Sequence, residues 1–173
     1  MWMSDGVVID ANIIPEFYMN YKVKNGVVYH VIIWLSNNVG IAINDQIAAE
    51  WKNVCSADLF LAWYTDQLKL GNIRNVKCTN ISRAITTKMI TTYGFPARSL
   101  DIHYIRCAYS TESIKYIMTY NYDFYDPKCQ RSTTHAKRRA REYREGRFCR
   151  FLLRQLGIHV GMPLHCKADF GIS

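Results

Sequence analysis

The feature that most constrains the fold is the alternation of short apolar runs with longer segments of helical periodicity. Strands are predicted at GVVID (6–10), GIAIN (40–44), NIRNVKC (72–78), IKYIMTY (114–120) and IHV (158–160). Helices are predicted at 12–23, 27–39, 46–54, 57–70, 82–93 and 100–110, and in a basic stretch at about 133–156, broken near Gly146. Residues 27–39 are rich in β-branched side chains, so a strand is an alternative prediction for this segment. This alternation predicts an α/β fold, a three-layer α/β/α sandwich with a mainly parallel central sheet.

Length and composition limit the class of protein. A chain of 173 residues with 49% hydrophobic residues is expected to form a single globular domain over 1–173. No apolar run reaches the roughly 18 residues of a membrane span, and the N-terminal apolar run is too short for a signal peptide. We therefore expect a cytoplasmic protein without a membrane partner.

The positive charge is concentrated in one part of the chain. The span 128–154 contains ten of the 22 Lys and Arg residues and two of the 14 acidic residues, so it carries the whole formal net charge of +8. Such a local field favours an anionic partner, with nucleic acid the leading candidate. A contact for an acidic protein and a merely solvated helix face are the alternatives.

The six cysteines are widely spaced and contain no CxxC pair. In an intracellular protein they are most simply buried or free thiols. A zinc site from Cys149, His159, His165 and Cys166 is an alternative, although this spacing matches none of the usual ligand patterns.

Asp10 is the acid whose position most needs an explanation, because it directly follows the apolar run Val7–Ile9. A buried carboxylate is costly unless it is paired or holds a cation, and ligand sites in α/β sheets lie at the carboxyl ends of strands. Glu50 borders the apolar stripe formed by Ile47, Trp51 and Val54. Helix-surface placement alone would also explain Glu50.

Two more acids lie at suggestive positions. Asp101 is predicted in the first turn of a helix capped by Ser99, as Asn44 or Asp45 is predicted to cap 46–54. Asp123 follows the fourth predicted strand. Helix-dipole stabilisation of Asp101 and simple turn chemistry at Asp123 are the non-catalytic explanations.

Taken together, these motifs resemble those of PIN-domain nucleases, a family of metal-dependent ribonucleases that includes many bacterial toxins. The motifs are VVIDAN, IAAEW, SLDIHYIRCA and IMTYNYDFYDP in this order over residues 6–127, followed by LGIHVGMP as the closing strand. Two departures stand out. Asn121 replaces the first acid of the fourth motif, and the basic helical elaboration at about 128–156 before the last strand is longer than expected.

The resemblance implies a PIN-like fold and hydrolysis of RNA phosphodiester bonds with Mg²⁺ or Mn²⁺. The implied catalytic and metal-binding residues are Asp10, Glu50, Asp101 and Asp123, with Asn12, Thr119 and Asn121 supporting them. Carboxylate oxygens suit these hard cations rather than zinc. The family also suggests a toxin of a toxin–antitoxin pair, with an acidic or DNA-binding antitoxin as partner and a homodimer as an open question.

Substrate contacts are expected from the basic segment and from aromatic residues near the fourth motif. The nucleic-acid-binding candidates are Lys137, Arg138, Arg139, Arg141 and Arg144. Tyr120, Tyr122, Phe124 and Tyr125 either stack on bases or belong to the core. Three alternatives remain: a structure-specific DNA nuclease, a non-catalytic RNA-binding module on the same fold, and a protein-interaction module.

Overall fold

A central sheet of parallel strands organises the molecule in a computed structural model, which describes residues 5–173. The strands are Gly6–Ile9 (β1), Ile41–Ile43 (β2), Ile73–Asn75 (β3), Lys115–Met118 (β4) and His159–Gly161 (β5). Their order across the sheet is β3-β2-β1-β4-β5. Each lies within or overlaps a predicted run, and every pairing is parallel, which confirms the predicted α/β class.

Helices follow the strands along the chain, as predicted. They are Ile14–Val23 (α1), Val27–Asn38 (α2), Asp45–Val54 (α3), Asp58–Lys69 (α4), Arg83–Thr91 (α5), Ile102–Ser110 (α6), Thr134–Glu142 (α7), Arg147–Leu156 (α8) and Pro163–Asp169 (α9). The 3-10 helices are Ala11–Ile13, Tyr122–Phe124 and Pro127–Arg131. Helix α2 packs on α1 and α9, while α6 packs on α3 and on β1 and β4, an arrangement consistent with a three-layer sandwich.

Strand β1 lies at the centre of the sheet, and Val7, Val8 and Ile9 are fully buried. A strand covered on both faces needs apolar side chains in both directions, which explains the unbroken apolar run. Strands β2 and β3 extend the sheet on one side of β1, and β4 and β5 extend it on the other. The strand order therefore reverses between β1 and β4, which is where α/β sheets form ligand crevices.

Local capping agrees with the sequence at one helix and differs at another. Asn44 caps α3 by accepting a hydrogen bond from the Ile47 amide at 2.9 Å, as predicted. The sixth helix begins at Ile102, so Asp101 is its N-cap residue rather than part of its first turn. Ser99 does accept a hydrogen bond from the Asp101 amide at 3.0 Å, one residue before the helix.

The basic segment is broken into α7 and α8 by residues 143–146, close to the predicted break. The amides of Phe148 and Cys149, in the first turn of α8, both donate to the Tyr125 carbonyl at 3.0 Å. A Cβ on Gly146 would lie 2.2 Å from the same oxygen, so only glycine allows this approach. The start of α8 is thereby held against the 3-10 helix that contains Asp123.

Among residues 5–173, no helix combines the length and hydrophobicity that crossing a bilayer requires.

Candidate functional site

Asp10 lies at the point where the strand order reverses and is only 5% exposed. The fully buried Thr119, which follows β4, donates its hydroxyl to the Asp10 carboxylate at 2.6 Å. The Asp10 amide continues the ladder by donating to the Met118 carbonyl at 3.0 Å. The two central strands thus present a carboxylate and its hydrogen-bond donor side by side at the carboxyl edge of the sheet.

Glu50, on α3, is linked through a tyrosine to the backbone of Ala11, the residue after Asp10. The Tyr104 hydroxyl donates to Glu50 Oε2 at 2.5 Å and accepts from the Ala11 amide at 3.2 Å. The other Glu50 oxygen, Oε1, is buried and has no hydrogen-bond partner in the described part of the chain. A buried carboxylate oxygen with no donor is costly, so this atom is suited to receive a cation or an ordered water. Val54, expected on the buried stripe of this helix, is instead 45% exposed.

Asp101 and Asp123 lie beside Asn121 and belong to the same edge. The Asn121 amide donates to Asp101 Oδ2 at 3.0 Å, and its own oxygen accepts from the Asp123 backbone N–H at 3.0 Å. The Gln130 amide donates to Asp123 Oδ1 at 2.6 Å. Asn121 therefore spans two of the four acids, in the place where relatives of the resembled family carry a further carboxylate.

The pKa values show that the carboxylates act on one another. The pKa of Asp10 is raised to about 6, chiefly by burial, with added repulsion from Asp101 and Glu50 and an opposing hydrogen bond from Thr119. Burial also raises the pKa of Asp101, with contributions from the charges of Asp123 and Glu50. The chain therefore concentrates negative charge at this edge.

Asn12 lies close to Asp10, as expected, but its contacts are long. Its side-chain amide donates to Thr119 Oγ1 and its oxygen accepts from the Tyr120 amide, both at 3.4 Å. Its own backbone N–H donates to Asp10 Oδ1 at 3.4 Å. Asn12 and Thr119 thus hold the loop after β4 against Asp10.

The four acids do not form a ready-made coordination group. Among residues 5–173, no set of three or more His, Cys, Asp or Glu side chains is arranged to hold a metal ion. Each acid is instead bonded to a neutral donor, from Thr119, Tyr104, Asn121 or Gln130. The donor chemistry still fits Mg²⁺ or Mn²⁺, because the ligands are carboxylate oxygens and one of them is buried without a partner.

The residues of the alternative zinc site are engaged elsewhere. His165 bonds the Met162 amide through Nδ1 and the Glu142 carbonyl through Nε2, and His159 stacks on Tyr116. Cys149 donates to backbone carbonyls, and burial raises the pKa of its thiol to about 11. These four residues therefore do not form a metal site, and none was found within residues 5–173.

The predicted nucleic-acid-binding residues differ in how far their charges are neutralised. Arg138 pairs with Glu142 at 2.6 Å and Arg139 pairs with Glu145 at 2.5 Å. Arg144 lies beyond the end of α7 with a positive φ of 53°, so it is not on the same helix as the other four candidates. It instead forms a two-pronged ion pair with Asp169, at 2.5 and 3.1 Å.

Arg141 is the member of this group that reaches the acidic edge, while Lys137 is half-buried on α7. The Arg141 guanidinium donates to the Tyr120 carbonyl at 3.2 Å and lies 4.3 Å from the centre of the Tyr122 ring. Tyr120 and Tyr122 are half-buried, whereas Phe124 and Tyr125 are fully buried and belong to the core. Only the first two aromatic residues therefore remain candidates for base stacking.

Sequence reasoning missed two residues that hold the acids. Tyr104 belongs to the third motif, on the apolar side of a predicted helix. Its position in the sequence does not indicate that its hydroxyl donates to Glu50. Gln130 lay in the basic segment, where the cations dominated the interpretation. The signal for Tyr104 was available only as a polar tip on an otherwise buried helix face.

Comparison of the chain with known family models, with curated proteins and with solved structures finds no match.

Proposed function

We propose that this chain is a divalent-metal-dependent endoribonuclease with a PIN-like fold. The observation that carries the proposal is the electrostatic coupling of Asp10, Glu50 and Asp101, which come from three different elements and act on one another near the point where the strand order reverses. A purely structural use of these carboxylates would leave unexplained why burial and mutual repulsion are concentrated at one edge. Asp123 adds a fourth charge that acts on Asp101.

A bound Mg²⁺ or Mn²⁺ would lower the pKa of a water and neutralise charge on the attacked phosphate. Asp10, Glu50, Asp101 and Asp123 are the residues that would hold the ion. Thr119 and Tyr104 fix the carboxylates of Asp10 and Glu50 by donating hydrogen bonds to them. Binding would require the acids to exchange part of their neutral donors for the cation, since a coordination group is not preformed.

RNA is the proposed substrate because the cationic segment borders the acids. Arg141 and the half-buried rings of Tyr120 and Tyr122 lie next to the loop that carries Asn121 and Asp123. Cations beside aromatic faces are the usual surface for single-stranded RNA. The toxin role, an acidic or DNA-binding antitoxin, and a cytoplasmic location belong to this proposal as consequences of the resemblance.

A non-catalytic RNA-binding module is the second candidate. It is favoured by the hydrogen bonds that neutral donors already make to all four acids and by Asn121, which replaces a carboxylate of the resembled motif. The two candidates differ in what they require of a metal ion, so metal binding separates them.

The test is cleavage of labelled single-stranded RNA by the purified chain with Mg²⁺, with Mn²⁺ and with excess chelator. We expect cleavage that depends on either ion and is lost in Asp10→Asn. Asp66→Asn, which removes a carboxylate from the exposed surface of α4, is the matched control and should cleave normally. Equal cleavage by Asp10→Asn, or in chelator after verified metal removal, would reject the catalytic proposal.

Binding of Mn²⁺ measured by electron paramagnetic resonance gives a readout that is independent of cleavage. We expect the wild-type chain and Asp66→Asn to bind the ion and Asp10→Asn to bind it at least tenfold more weakly. RNA binding without Mn²⁺ binding would favour the non-catalytic module.

A further inference from the structure

Helix α8 has two opposite faces, and only one of them is used by the core. Phe148, Phe151 and Leu152 are buried against the body of the protein. Arg147, Arg150 and Arg154 are exposed on the other side, at spacings of three and four residues that place them along one stripe. A stripe of three arginines on a helix whose other face is firmly packed is a rigid array of cations.

This stripe forms one wall of a cleft between α8 and α5. The cleft has a volume of about 400 Å³ and is lined by Lys88, Tyr93, Arg147, Arg150, Phe151 and Arg154, among others. Gln155 is the remaining residue of its lining, so no acidic side chain among the described residues contributes to it. Four positive charges therefore face one depression.

Aromatic rings form the floor of this cleft. The half-buried Tyr93 ring packs on Phe151 with the two centroids 4.5 Å apart. The Arg147 guanidinium lies 5.9 Å from the centre of Tyr93, and Lys88 Nζ lies 5.8 Å from the centre of Phe151. Cations that flank an aromatic face combine the two contacts that single-stranded nucleic acids use, phosphate pairing and base stacking.

The cleft differs from α7 in how its charges are balanced. The ion pairs found within residues 5–173 involve Arg138, Arg139 and Arg144, and none of the cations of the cleft. Glu145 is the acid whose pKa Arg150 helps to lower, but the hydrogen bond from Arg139 is the larger cause. The cations of the cleft are therefore free of the ion pairs that hold Arg138, Arg139 and Arg144, and they can face an external anion.

A path of polar residues connects the cleft with the acidic edge. Arg147 lines both this cleft and a neighbouring depression of about 300 Å³. That depression is bordered by the cations Lys128 and Arg139 and also by the acids Asp126 and Glu145. Lys128 belongs to the 3-10 helix Pro127–Arg131, whose Gln130 donates to Asp123. A strand held at the acids can thus continue past the 3-10 helix into the cleft.

We propose that the cleft between α5 and α8 binds the phosphate backbone of single-stranded RNA on one side of the acidic edge, with Tyr93 as a stacking face. Arg147 and Arg154 are separated by about 10 Å along the helix axis, because each residue adds about 1.5 Å. That distance equals the rise of about three stacked nucleotides. That the bound RNA is a substrate rests on the proposed function. Binding of RNA in the cleft does not depend on it.

The test uses fluorescence anisotropy with a labelled single-stranded RNA of 20 nucleotides in chelator, over a series of salt concentrations. The variant is Lys88→Gln/Arg150→Gln/Arg154→Gln. The matched control, Lys22→Gln/Lys52→Gln/Lys69→Gln, removes three exposed charges from α1, α3 and α4. Circular dichroism and thermal unfolding verify that both variants are folded.

We expect the cleft variant to bind RNA at least tenfold more weakly at low salt, while the control stays within about twofold of the wild type. The slope of log affinity against log salt should fall by about 2, because each phosphate contact of a single strand contributes about 0.7. The charge reversal Arg150→Glu/Arg154→Glu should weaken binding further. Equal affinity and slope in the cleft variant and the control would overturn the proposal.

Two further outcomes separate this proposal from the proposed function. Tight RNA binding that depends on the cleft, without cleavage in Mg²⁺ or Mn²⁺, would reject the nuclease and leave the cleft proposal intact. If the wild-type chain cleaves RNA and the cleft variant binds RNA as tightly as the wild type does, the cleft proposal is rejected and the nuclease proposal stands. Loss of binding to a polyglutamate peptide, but not to RNA, in the cleft variant would make the cleft a docking surface for an acidic protein.

Discussion

Replacing Asp10 by Asn should stabilise the metal-free protein and abolish the proposed activity. An Asn side chain keeps the shape and an oxygen that accepts the Thr119 hydroxyl, but it removes the charge that burial, Asp101 and Glu50 disfavour. A rise in the pKa of Asp10 from 3.8 to about 6 corresponds to about 3 kcal/mol. Asp10 is 5% exposed, so solvent screens little of this cost.

The sign of the pH dependence follows from the direction of the shift. Because the folded pKa lies above the unfolded value, the contribution of Asp10 to stability is fully present below pH 3.8 and is lost as the pH rises through about 6. In chelator, Asp10→Asn and wild type should therefore be similarly stable at pH 4. At pH 8 the variant should be more stable by up to about 3 kcal/mol, which is roughly 6–12 °C in Tm for a protein of this size.

The assay is urea and thermal unfolding in chelator at half-unit steps between pH 4 and pH 8. The quantity to plot is the difference in unfolding free energy between variant and wild type, since other titrating groups then cancel. Asp66→Asn should show no such pH-dependent gain. Adding Mn²⁺ should raise the Tm of wild type more than that of Asp10→Asn, because the variant is expected to bind the ion more weakly. A difference that is independent of pH, or a wild type more stable at pH 8, would refute the electrostatic account.

Three further substitutions test the contacts around the site. Tyr104→Phe removes the hydroxyl that donates to Glu50. The free energy of unfolding in urea should fall by about 1–2 kcal/mol, because Glu50 loses a hydrogen bond. The affinity for Mn²⁺ should fall by about 10–100-fold. Retention of full Mn²⁺ affinity would mean that Tyr104 does not position the acid. Arg144→Gln breaks the pair with Asp169 and should cost about 1 kcal/mol in low salt, less in high salt; unchanged stability would show that the pair contributes nothing. Gly146→Ala places a Cβ 2.2 Å from the Tyr125 carbonyl oxygen, which accepts hydrogen bonds from amides in the first turn of α8. The free energy of unfolding in urea should fall by about 1–3 kcal/mol. A variant as stable as the wild type would contradict this expectation.

The resemblance grouped Asp10, Glu50, Asp101 and Asp123 as one metal site, and that grouping stays a prediction. The fold brings these acids near enough for their charges to raise the pKa values of Asp10 and Asp101, but among residues 5–173 no three of them are arranged to hold a metal ion. The predicted nucleic-acid-binding residues do not share one helix, since α7 ends at Glu142 and Arg144 lies beyond it.

The positions of the strands and helices could be predicted from the sequence, because they follow from interactions between near neighbours. Periods of two and of 3.6 residues, the apolar run before Asp10 and the cap at Asn44 are all encoded within a few positions. A charge that directly follows a buried strand was also visible without a structure.

The partners of each functional group, in contrast, follow from the packing of the whole chain. Tyr104 meets Glu50 across 54 positions, Thr119 meets Asp10 across 109, and Arg144 meets Asp169 across 25. These contacts depend on strand order and helix packing, which local periodicity does not specify. The same physical reason explains why Arg144 is in an ion pair within residues 5–173 while Arg147, Arg150 and Arg154 are not: charge neutralisation acts through space, between residues that are distant along the chain.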